Sequence, residues 1–173
     1  AAVVAGLGSA LNLRECFVFL ADDDTERLTL RAVFGCERPS ELVGRIVLFE
    51  EGVLGAVATR GEAYFADDLG ALEERVWEPI SDSGSIAIVP VLHNGRTTGA
   101  LVTTRGETAA FSKVESGLLE AIGDQLGLAI RHTQLFDELR RGSQQDDLTG
   151  LGNRRLLRIR LEDELLRADR FGH

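Results

Sequence analysis

Residues 85–104 read SIAIVPVLHNGRTTGALVTT. Two apolar runs, Ser85 to Leu92 and Thr97 to Thr104, flank His93-Asn94-Gly95-Arg96. Asn-Gly tolerates the positive φ that both central residues of a type I′ turn require, and that turn joins two adjacent antiparallel strands. The stretch therefore predicts a long apolar hairpin. Upstream, Cys16 to Leu20 is a second apolar run, closed by Asp22-Asp23-Asp24. From Arg27 to Phe34, Leu28, Leu30, Ala32 and Phe34 alternate with Thr29, Arg31 and Val33, the pattern of a half-buried strand with one exception. The acidic triplet joins these two as another hairpin. Its spacing lacks the alternating ligands and glycine of a calcium loop, so it reads as a solvated turn.

Between the hairpins, Gly35 to Gly44 reads as a loop and Arg45 to Leu48 as a short strand. Gly52 to Arg60 reads as a compact helix and Ala63 to Ala66 as a further strand. Residues 67–82 are polar and irregular, hold the only tryptophan, Trp77, and are read as a mobile cover. Residues 3–12 are helix-like. The opening AAVVAGLGSALNLRE lacks a basic leader and reads as a helix that begins before the chain does, rather than as a signal peptide.

Downstream, Ser112-Lys113-Val114-Glu115 is a capping box, and no proline interrupts the next 30 residues, roughly 45 Å of helix. Leu119, Ile122, Leu126, Ala129, Thr133 and Phe136 fall at alternating spacings of three and four, a heptad-like seam. Leu118, Leu128, Leu135 and Leu139 add apolar surface beside it. One stripe is expected to cover the sheet and the other to meet the same helix of a second copy, making a homodimer. The alternative is one wide face buried within a single domain. After Gly142-Ser143, a last amphipathic helix carries Leu156, Leu157, Leu161, Leu165 and Leu166 and has no core of its own.

The 173 residues carry a net charge of −9. Residues 140–173 hold eight Arg against six acids, which leaves 11 basic and 22 acidic groups before them. So acidic a main body disfavours nucleic acid, whose phosphates need clustered Lys and Arg. No apolar run approaches the roughly 20 residues of a membrane span. Two cysteines, Cys16 and Cys36, are too few for a disulfide framework and suit a reducing cytoplasm.

In order and spacing, four stretches resemble a GAF domain: CFVFLADDDTERLTLRAVFG, GRIVLFEEGVLGAVATRGEAYFADDL, SIAIVPVLHNGRTTGALVTT and FSKVESGLLEAIGDQLGLAIRHTQLFDEL. The resemblance covers residues 1–139. It implies an α+β fold of the PAS-like kind, a central antiparallel sheet flanked by helices, with a ligand cavity on one sheet face. After a linker at 140–145, residues 146–173, DDLTGLGNRRLLRIRLEDELLRADRFGH, resemble the opening of a GGDEF domain, the diguanylate cyclase family. Asp146 and Asn153 belong to the opening turn of that family, a structural coupling role. Its metal-binding strand and GG(D/E)EF loop lie downstream of this segment. The resemblance thus implies a sensory domain regulating a cyclase that makes cyclic di-GMP, with GTP and Mg as cofactors of the cyclase alone. The alternative is a ligand-free GAF spacer that only dimerises.

Cyclase chemistry needs metal-holding carboxylates, and none of that family's falls within these residues; the chain itself is expected to be non-catalytic. His93, His132 and His173 lie on different predicted elements, so no zinc cluster or Ser–His–Asp arrangement is expected. Haem ligation by His93 or His132 has no supporting motif. Cys16 and Cys36 can approach across their hairpin, but lack the further resolving thiol of the GAF-like reductases. The Asn-Lys signature of cyclic-nucleotide-binding GAF domains does not occur, since the only lysine, Lys113, has no such context. An apolar, aromatic pocket for an unidentified small molecule remains, with Phe49, Tyr64, Phe65, Trp77, Ile88 and Pro90 as its lining and Arg31, Asp67 and Asp68 as polar contacts. Equally, these aromatics fill a ligand-free core.

Overall fold

The computed structural model describes residues 2–22, 25–72, 77, 80–109 and 111–142. In chain order the elements are α1 (Ala2–Ala10), β1 (Glu15–Asp22), β2 (Arg27–Phe34), α2 (Pro39–Leu42), β3 (Ile46–Leu48), α3 (Gly52–Arg60), β4 (Tyr64–Ala66), β5 (Ser85–His93), β6 (Arg96–Arg105) and α4 (Lys113–Gly142). The expected coupling residues Asp146 and Asn153, and the last leucine-rich helix, lie outside the described residues. The chain divides into a unit Ala1–Ile130 and a second, Arg131–His173, of which residues 131–142 are described as the end of α4.

The six strands form one antiparallel sheet in the order β3-β2-β1-β6-β5-β4. The β5–β6 hairpin closes through His93↔Arg96, with Asn94 and Gly95 at φ 50° and 76°, the left-handed pair a type I′ turn demands. Since successive strand residues face opposite sides, the sheet builds two cores. One face carries Phe17, Phe19, Leu28, Leu30, Ile86, Ile88 and Val102, covered by Leu42 of α2 and Leu54, Val57 and Ala58 of α3. The other carries Cys16, Val18, Ala87, Val89, Val91 and Leu101, covered by Val4 of α1 and Leu119 of α4.

Two local expectations need correcting. The Gly35–Gly44 stretch is not all loop, because Pro39 starts the short helix α2: a proline's fixed φ suits the first helical turn, where its missing N–H costs nothing. The alternation expected for β2 also fails. Its pairing with β1 slips between Val18 and Phe19, and this β-bulge reverses which side chains face inward. Leu28, Leu30 and Val33 therefore join one core, and Ala32 and Phe34 the other.

The capping box at the start of α4 forms as its sequence implies. Ser112 N–H donates to Glu115 Oε2 at 3.0 Å, and Glu115 N–H to Ser112 Oγ at 3.4 Å. Arg105, at the end of β6, ties three elements together. Its Nη2 donates to the Leu11 carbonyl at 2.7 Å and lies 2.6 Å from Glu115 Oε1, and its guanidinium lies 4.9 Å above the Phe111 ring. Arg105, then the bonds from Ser112, hold the Glu115 carboxyl down at about 2. Because that value lies below the ordinary 4.5, the stabilisation is complete above pH 4.5 and is lost as pH falls toward 2. Urea midpoints measured across that window should fall less steeply in Glu115→Gln than in the parent. An unchanged slope would show that Glu115 carries no part of the acid sensitivity.

Candidate functional site

Most of the expected lining is found on the face covered by α2 and α3. Ile88 is fully buried in that core, and Phe49, Tyr64 and Trp77 pack against it. Pro90 is buried, at the strand parity of Ile88. Phe65 is not with them: as the neighbour of Tyr64 on β4 it points to the opposite core. Arg31 sits at the β2 bulge and is exposed. Asp67 and Asp68 are exposed as well, and Asp68 Oδ1 is engaged, accepting from Gly70 N–H at 2.9 Å to cap the 3₁₀ turn Leu69–Ala71. None of the three polar residues reaches the apolar interior.

Trp77 decides how much room that interior has. Its ring meets Phe17 and Phe19 edge-on, with centroids 5.6 and 5.2 Å apart and interplanar angles of 82° and 84°. The indole stands on the sheet face over these two rings. Among the described residues, three clefts are lined by residues at the rim. One cleft of about 240 Å³ includes Tyr64 and α3 residues, and another of about 420 Å³ includes Phe49 and the β5–β6 turn. A third, about 550 Å³, lies among Arg14, Glu15, Cys36, Arg38, Arg45 and Ser81.

This third cleft is not among the expected sites. Its centre is Glu15, only 8% exposed, whose Oε2 accepts from Thr104 Oγ1 at 2.8 Å and from Ser81 N–H at 3.5 Å. The available signal was parity: Glu15 precedes Phe17 and Phe19 by two and four positions, so a carboxylate had to face the same way as two core aromatics.

The thiols do not form a redox pair. Cys16 is buried in the core under α1 and α4, whereas Cys36 packs against the core under α2 and α3. Burial pushes the Cys16 thiol up to about 12; burial and the nearby Glu15 charge push Cys36 up to about 11. Both are thiols rather than thiolates at neutral pH, poor nucleophiles and poor metal ligands. Among the described residues no group of three or more His, Cys, Asp or Glu is placed to hold a metal ion. No described helix is long and apolar enough to cross a membrane.

On α4, Leu119, Ile122 and Leu126 of the expected seam face the domain's own sheet, with Ile130 beside them. Ala129 and Thr133 are exposed, and the Phe136 side chain lies outside the described set. On the reverse side Val114, Leu118, Leu128 and Leu135 are exposed, at 82, 45, 47 and 41%.

A sheet with one face under the short helices α2 and α3 and the other under α1 and the long helix α4 defines a small α+β module. A family model described as GAF domain matches residues 2–131, and the chain belongs to the GAF domain family. Among solved structures, it is 26% identical to the GAF domain of a phosphoenolpyruvate-protein phosphotransferase from Coxiella burnetii, with a TM-score of 0.71 over 79% of this chain and 82% of that one. The free methionine-R-sulfoxide reductase of Neisseria meningitidis, solved with its substrate, is 22% identical, with a TM-score of 0.67 over 78% and 77%. The GAF domain of a two-component sensor histidine kinase from Bacillus halodurans is 17% identical, with a TM-score of 0.64 over 79% and 96%. The last two likenesses speak to the fold. No curated protein matches the chain.

Proposed function

We propose that this GAF domain is a dimeric regulatory unit that controls a diguanylate cyclase region opening at residue 146, through the helix α4. The observation that carries this reading is the two-sidedness of α4. Its inner residues are consumed by the domain's own core, yet the outer positions Val114, Leu118, Ala121, Gln125, Leu128, His132 and Leu135 repeat at four and three and are all exposed. An exposed heptad stripe is what a partner helix needs, and its exposure supports a homodimer seam along these positions. The resemblance of residues 146–154 to the opening of a GGDEF domain supplies the downstream partner. In that arrangement a ligand favouring one geometry of the helix pair shifts the population of that geometry, and with it the supply of two facing GTP-bearing domains for cyclic di-GMP synthesis.

Sedimentation of the chain tests the seam. The parent should sediment as a dimer, and Leu118→Glu combined with Leu128→Glu should weaken association by about a hundredfold or more, because two apolar anchors become facing like charges. Both side chains are about half exposed, so the circular dichroism should not change. A monomeric parent would refute the helix-pair mechanism. The packing of Trp77 on Phe17 and Phe19 favours a second reading, a filled dimerisation spacer without ligand. Native mass spectrometry separates the two by showing whether the purified dimer retains a small molecule.

A further inference from the structure

The third cleft has chemistry that the apolar interior lacks. Glu15 stands on the sheet face of Phe17 and Phe19, more than nine-tenths buried, and lines the cleft together with Arg14, Cys36, Arg38 and Arg45. Among the described residues its carboxylate has only neutral donors, and both act on Oε2: the Thr104 hydroxyl, and the Ser81 amide at the long distance of 3.5 Å. No described residue donates to Oε1 or forms an ion pair with Glu15. A largely buried carboxylate that lines a cleft gains a charge-assisted hydrogen bond from a cation seated there. The cleft thus offers a site for a cation at its inner wall.

The rim carries both signs, with Glu37 and Glu41 beside Arg14, Arg38 and Arg45. Arg38 is committed to Glu41 at 3.3 Å, and Arg14 Nη1 donates to Ser83 Oγ at 3.5 Å. Arg45 is exposed, and its guanidinium has no partner among the described residues. A guanidinium in this state is a planar two-point donor to a carboxylate. One wall therefore asks for an ammonium, and the rim for a carboxylate, in a space within the usual size range of small-molecule pockets.

We propose that this cleft binds a small zwitterion of the α-amino-acid class, its ammonium on Glu15 and its carboxylate on Arg45. The proposal rests on the regulatory reading above and names the class of ligand that would act there. Under that reading, Trp77 can pack on Phe17 and Phe19 in the aromatic interior while a molecule acts at this cleft.

Calorimetric titration of the chain with the individual proteinogenic L-amino acids is the test. At least one should bind. For that amino acid, the matching amine without a carboxylate and the matching acid without an ammonium should each bind much more weakly. Glu15→Gln, which keeps an acceptor for the Thr104 hydroxyl, should weaken binding at least about tenfold, the loss expected for one charge-assisted hydrogen bond. Arg45→Gln changes an exposed side chain, so it keeps the test valid if Glu15→Gln does not fold, and it should weaken binding several-fold. The proposal is overturned if no amino acid binds, or if the affinity is unchanged in either variant. Native mass spectrometry keeps the two readings apart. A neutral or anionic molecule retained by both parent and Glu15→Gln overturns the zwitterion assignment and leaves the regulatory reading standing. No retained molecule and no amino-acid response together overturn both.

Discussion

Gly127→Ala should destabilise the domain by about 2–3 kcal/mol, although the same change in a free helix would stabilise it by roughly 1 kcal/mol. The reason is how closely α4 lies on β5. A Cβ at Gly127 would come within 2.0 Å of the Leu92 carbonyl oxygen, and one at Gly123 within 2.7 Å of the Pro90 carbonyl oxygen. Both obstacles are backbone, so no rotamer change relieves them. The helix must lift away from the strand, and Leu119, Ile122 and Leu126 then lose contact with the core they cover. Gly117 supplies the internal control. It lies on the same helix, is exposed, and nothing stands within 4 Å of where its Cβ would be. Gly117→Ala should therefore stabilise by about 0.5–1 kcal/mol. Urea denaturation of the two variants should give shifts of opposite sign. If both stabilise, α4 does not lie against β5 in the way described.

The same glycines show what was legible in the sequence and what was not. The β5–β6 hairpin and the capping box could be read directly because each is fixed by neighbours a few residues apart: Asn94 with Gly95, and Ser112 with Glu115. The faces of α4 were harder. Two stripes with spacings of three and four run along it, one through Leu119, Ile122 and Leu126, the other through Leu118 and Leu128, and hydrophobicity alone does not rank them. Gly123 and Gly127 do, since they fall on the first side, and a helix needs small residues where it approaches a backbone closely. The cavity residues failed for a different reason. Phe65 and Tyr64 cannot both line one pocket from adjacent strand positions. Arg31 is displaced by a bulge that depends on pairing with β1, a non-local contact no window of sequence contains. Glu15 is hard to read as buried because an acid at a strand start looks like a boundary. Its burial depends on Thr104 and Ser81, 89 and 66 residues away.

Phe19→Ala should remove most of the domain's margin, about 3–5 kcal/mol out of the roughly 5–15 typical of a domain this size. Phe19 is fully buried, pairs with Ala100 across β1 and β6, and receives the edge of Trp77 at 5.2 Å. Truncation leaves a void under the indole as well as losing the ring's own burial. Phe19→Leu keeps most of the volume and should cost less, with about 0.5–1.5 kcal/mol of its loss coming from the missing aromatic contact. Trp77 is the only tryptophan, so its fluorescence reports on this site alone. In Phe19→Ala the native emission should shift to the red as the indole loses its platform, before any unfolding, whereas in Phe19→Leu it should shift little. An unchanged emission in Phe19→Ala would mean that the indole does not rest on the sheet. The interior would then be open to a ligand, and the case for confining binding to the Glu15 cleft would fall with it.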